Sequence, residues 1–123
     1  MTAMSETQQD SIGRIEVAPE VLATIAHFAT LRVDGVAKMA PVPADVARMF
    51  RKATKHDGIL LNIVDDKIHL DIYVIMDPEA NIMEASQSLQ TAVAEAIDTM
   101  VGIPVEAVNI HVEDVLYTQN EAA

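Results

Sequence analysis

Two pairs of residues are spaced so that they could bind a cation or relay a proton: His69 with Asp71, and His111 with Glu113. An i, i+2 spacing places both side chains of a pair on one face of an extended strand. If the two strands were neighbours, two imidazoles and two carboxylates would converge, a donor set that zinc accepts. The simpler reading is that alternating polar residues keep an outer sheet face wet. A ferredoxin-like sheet would also place the first strand between them, so no metal is assigned. His27, beside Phe28 in a helical pattern, reads as a surface histidine of a helix.

Other chemistry is scarce. Cysteine is absent, and the serines fall only at Ser5, Ser11, Ser86 and Ser88. There is no nucleophile elbow, no His-Glu-x-x-His helix and no glycine-rich phosphate loop, and four glycines leave little room for one. A catalytic site needs a nucleophile, a base and an orienting group together, so the expectation is a non-enzymatic protein with no catalytic residues and no cofactor.

The charge distribution is more informative. The chain carries a formal net charge of −11, yet four of its eight basic residues, Arg48, Arg51, Lys52 and Lys55, lie close together. On a helix over residues 45–55 they would form one basic stripe at i, i+3, i+4, i+7. Val46, Met49, Phe50 and Ala53 would form the opposite, apolar face. A solvated surface helix explains this pattern; so does an electrostatic docking site for an acidic partner or for the acidic face of a second copy. The four residues are the candidate interaction patch.

The elements that must position these groups follow from periodicity. Alternation over residues 12–17 predicts a short strand. Pro19 then suits a helix start, followed by Val21, Leu22, Ile25, Phe28 or Ala29, and Val33 at helical spacing, with Gly35 at its end. Ile59, Leu61 and Ile63 alternate, a turn follows at Val64-Asp65-Asp66-Lys67, and Ile68, Leu70, Ile72 and Val74 alternate again, which reads as a hairpin. Asn81 and Glu84 have capping-box spacing, opening a helix of about 20 residues with a stripe of Ile82, Leu89, Val93, Ala96, Ile97 and Met100. Val108, Ile110 and Val112 close the chain as a half-buried strand.

The order strand-helix-strand-strand-helix-strand predicts an α+β two-layer sandwich: a mainly antiparallel sheet, two main helices on one face, a short extra helix near 45–55, and a ferredoxin-like topology. One domain over residues 12–117 is expected, flanked by disordered tails at 1–11 and 118–123. Met49, Met76 and Met100 read as core or near-core. The acidic charge opposes nucleic-acid and anionic-lipid binding. No run approaches the roughly 20 apolar residues of a membrane helix, and the N-terminus lacks the positive start of a secretory signal. A soluble cytoplasmic protein is expected.

Several of these segments resemble one family. Gly13-Arg14-Ile15-Glu16-Val17-Ala18-Pro19-Glu20-Val21-Leu22-Ala23-Thr24-Ile25-Ala26 is similar to its opening, and Val33-Asp34-Gly35-Val36 to its helix-ending Gly-Val. Gly58-Ile59 with the hairpin, the helix containing Gln90, Val93 and Met100, and Val105-Glu106-Ala107-Val108-Asn109-Ile110-His111-Val112 complete the pattern. The sequence thus resembles the bacterial alkaline-shock or envelope-stress-response family over roughly residues 13–116. Ala18 stands where the family has a capping Ser, Met76-Asp77 where a Tyr-Gly pair is usual, and residues 41–57 are unusually basic. The resemblance implies a stress-linked assembly or adaptor module, a homo-oligomer held in the cytoplasm near the membrane by a membrane-anchored partner. An RNA-binding module that uses an open sheet face and the basic segment is the alternative, and a lipid or small-ligand role comes third.

Overall fold

The computed structural model describes residues 12–116. The expectations for the two tails therefore lie outside the described residues. Eight elements follow one another: α1 (Pro19–Leu31), β1 (Val36–Met39), α2 (Ala44–Met49), β2 (Thr54–His56), β3 (Ile59–Val64), β4 (Lys67–Met76), α3 (Ile82–Val101) and β5 (Val105–Val115).

β4 organises the sheet. β5 runs parallel to it along one edge, from Ile68↔Val105 to Met76↔Val115. The other edge is shared: β3 pairs antiparallel with residues 67–72, and β1 pairs antiparallel with residues 74–76. Between them, the Tyr73 amide donates to the Gly58 carbonyl and the Tyr73 carbonyl accepts from the Ala40 amide. β2 pairs antiparallel with β3 and forms the far edge. The lateral order is thus β5, β4, then β3 and β1 end to end, then β2.

The helices explain one face. Leu22, Ala23, Ile25 and Ala26 of α1, with Ala85, Leu89, Val93 and Ile97 of α3, pack on Ile59, Leu61, Ile68, Leu70, Ile72, Val74 and Met76. The sheet residues have strand period and the helix residues helical period, so one apolar layer satisfies both. Each fully buried aliphatic side chain contributes about 1.5–3 kcal/mol through burial. Asn81 caps α3, accepting from the Glu84 amide at 3.0 Å. Ala18, at the corresponding position before α1, supplies no side-chain cap, and Pro19 instead opens that helix.

Two hairpin turns fix the register. Asp65 and Asp66 both have positive φ, the signature of a two-residue type I′ turn. Asp57 and Gly58 do the same between β2 and β3. Gly58 is required there: a Cβ would collide with the Ala40 carbonyl and lie 3.0 Å from that of Tyr73.

Four expectations are corrected. Residues 12–17 form no strand and stay outside the sheet, because the lane a ferredoxin-like order would give them is taken by direct β4–β5 pairing. α1 stops at Leu31 with Arg32 as its cap residue, before Gly35. The basic helix is shorter than expected: α2 ends at Met49, and β2 begins at Thr54. Of the three methionines assigned to the core, only Met76 is buried; Met49 and Met100 are 74% and 69% exposed. At the last turn of α3 it is Val101, not Met100, that packs against the core.

Candidate functional site

The basic segment leads into β2, the edge strand. Arg48 sits on α2, Arg51 and Lys52 lie in the turn that follows, and Lys55 is on β2 itself. The single helical stripe is therefore broken, and the four residues divide into two roles. The Lys55 ammonium donates to the carbonyls of Phe50 at 2.9 Å, Ala53 at 3.2 Å and Arg51 at 3.4 Å. Those carbonyls lie in the turn after α2, where that of Phe50 also accepts from the Ala53 amide, so Lys55 acts as a clamp on the turn. Arg48, Arg51 and Lys52 are exposed and have no ion-pair partner among the described residues.

The opposite edge carries the opposite sign. Glu106, Glu113 and Asp114 are exposed along β5. From Asp57 to the end of the chain, Lys67 is the only lysine or arginine. Among the described residues no strand pairs with the outer edge of β5, although Gln90 of α3 donates to the Val108 carbonyl at 3.0 Å. The acids are the kind of charge that blunts an exposed edge against unspecific pairing.

The second sheet face holds the strand pairs singled out in the sequence. Since β4 and β5 are adjacent, His111 Nε2 reaches Asp71 Oδ1 at 2.9 Å. The imidazole also stacks on the Tyr73 ring, with centroids 4.4 Å apart and planes 11° from parallel. His69 does not join them; it stands opposite Asn62 on β3 and Ala107 on β5. Tyr73 is 4% exposed, and Leu60, on the same face by alternation, is also buried. Asp45 of α2 lies within electrostatic reach of Tyr73 on this face. Burial raises the Tyr73 phenol above its ordinary value, and the nearby carboxylates of Asp71, Glu113 and Asp45 add to the effect. The imidazole meets Tyr73 ring face to ring face, so this group braces the sheet and does not activate the phenol.

A third cluster was not foreseen. His27 of α1 packs against His56 at the end of β2, with ring centroids 5.1 Å apart and planes at 80°. Asp57 in the following turn brings a carboxylate oxygen close, so that one ligand atom from each residue lies within 4.8 Å of the other two. His27 Nδ1 is buried and has no hydrogen-bond partner among the described residues. His27 and His56 lie in different elements, and only the packing of α1 on β2 brings them together. No local sequence spacing signals it.

No described helix is long and apolar enough to cross a membrane. Comparison with known proteins gives uncharacterised relatives. The chain is 30% identical over 102 residues to the uncharacterised protein YqhY of Bacillus subtilis, covering 82% of this chain and 76% of that protein. It is 34% identical over 106 residues to the uncharacterised protein Spy1535 of Streptococcus pyogenes, covering 85% and 81% respectively. YloU of Bacillus subtilis, also uncharacterised, is 28% identical over 118 residues, covering 94% and 98%. Residues 7–117 match the family described by a cell envelope-related function, as the resemblance in the opening, hairpin and closing strand implied; the chain belongs to the alkaline-shock protein 23 family.

Proposed function

We propose that this protein is a non-enzymatic, cytoplasmic assembly module of the cell envelope stress response, whose copies associate head to tail. The observation that carries this reading is the charge on the two sheet edges: Arg48, Arg51 and Lys52 at the β2 edge, Glu106, Glu113 and Asp114 at the β5 edge. One edge of a copy is electrostatically complementary to the opposite edge of the next. A contact between two different surfaces is heterologous, so it grows into a ring or an open chain of copies. Such an array offers many equivalent sites to a membrane-anchored partner, and avidity then holds near the envelope a protein whose described residues include no spanning helix.

The RNA-binding alternative finds less support. A sheet that reads RNA needs exposed aromatic rings and a positive field. Tyr73 is covered and lies among Asp71, Glu113 and Asp45.

Light scattering coupled to size exclusion tests the assembly. The proposal expects a mass well above the 13.3 kDa chain at low salt, falling toward that value in about 0.5 M salt as screening sets in. A mass of one chain at every concentration and salt would sink it.

A further inference from the structure

We propose that His27, His56 and Asp57 form a binding site for zinc(II). The three residues come from α1, from the end of β2 and from the turn that follows it, and α1 packs against β2. Two imidazoles and one carboxylate are a borderline nitrogen and oxygen donor set, which suits zinc among divalent ions and leaves a fourth position for water. Ligand atoms within 4.8 Å of one another already surround a common point. Closing them to the roughly 3.3–3.5 Å edge of a zinc tetrahedron needs movements of side-chain size.

Three further observations favour a ligand here over a simple ring contact. The buried Nδ1 of His27 has no partner among the described residues, and a buried ring nitrogen left unpaired is costly. A metal on that nitrogen would remove the cost. Asp57 holds φ at +40°, in the left-handed region that non-glycine residues seldom adopt, and the neighbouring Gly58 is locked against Ala40 and Tyr73. The turn therefore holds the Asp57 backbone rigidly beside the imidazoles. Lys55, the nearest cation in sequence, points its ammonium at the carbonyls of Phe50, Arg51 and Ala53, so it does not neutralise the Asp57 carboxylate.

Calorimetric titration of the chelator-treated full chain with zinc chloride tests the site. The expected result is one zinc per chain, weakened on the order of tenfold to a hundredfold in His56→Gln and in Asp57→Asn. His27 is half-buried, so His27→Gln is informative only if circular dichroism shows an intact fold; the His56 and Asp57 variants carry the test without it. A His69→Gln, His111→Gln double variant should bind zinc as the parent does, since those are the remaining histidines. No saturable binding up to about 100 μM zinc would overturn the proposal. So would binding that His56→Gln or Asp57→Asn leaves unchanged, or binding lost in the double variant.

Discussion

The two faces of β4 show what a sequence pattern carries and what it does not. Ile68, Leu70, Ile72, Val74 and Met76 point to the helices and enter one apolar core. His69, Asp71 and Tyr73 alternate with them on the other face, where Asp71 and Tyr73 meet His111 of β5. On the first face any aliphatic side chain of suitable size satisfies the environment, so the period alone identifies it. On the second, each contact is between specific groups and depends on which strand lies next door.

The largest effect should come from opening the first face. Leu89→Ala removes a fully buried side chain at the centre of α3 and should cost about 2–5 kcal/mol, read by chemical denaturation. Gly58→Ala breaks the junction between the faces by a different route. Its Cβ meets the Ala40 and Tyr73 carbonyls and its φ is positive, so a loss of several degrees in Tm is expected. A variant as stable as the parent would show that the β2–β3 turn rearranges freely.

The second face should respond to pH. An unfolded tyrosine ionises near about 10, whereas folded Tyr73 keeps its proton to higher pH because of burial and the surrounding carboxylates. Its raised value makes a contribution that is complete below about pH 10 and is lost as pH rises through the folded-state value. Tyr73→Phe should therefore flatten the alkaline limb of the stability profile above about pH 10, with little change at pH 7. An identical alkaline limb in parent and variant would place the loss elsewhere.

The smallest effect belongs to the β2 edge. Lys55→Met should loosen the turn after α2 by about 1 kcal/mol, through loss of its bonds to three carbonyls. Arg51→Gln with Lys52→Gln should leave Tm nearly unchanged while reducing assembly, which separates the clamp from the free cations.

Particular residues show how much was legible. The hairpin was readable because Asp65-Asp66 falls between two alternating runs, and α3 because Asn81 and Gly102 bracket one apolar stripe. Residues 12–17 alternate as a strand should, yet the place beside β4 is filled by β5, a choice made by the whole sheet. The four basic residues were visible as a group. Their split into Lys55 and the other three was not, since helical spacing beyond Met49 meant nothing once α2 had ended. Contact between His111 and Asp71 was conceivable only if the strands adjoined. The contact between His27 and His56 had no signature at all.

The central claim, association of unlike edges, is tested most directly by mixing two crippled copies. One carries Arg48→Gln, Arg51→Gln and Lys52→Gln; the other carries Glu106→Gln, Glu113→Gln and Asp114→Asn. Each retains one working edge, so each alone should have the mass of a single chain by light scattering, and an equimolar mixture should give a pair of about twice 13.3 kDa that grows no further. If both variants assemble alone as the parent does, or if the mixture remains monomeric while the parent assembles, the edge-to-edge account is wrong.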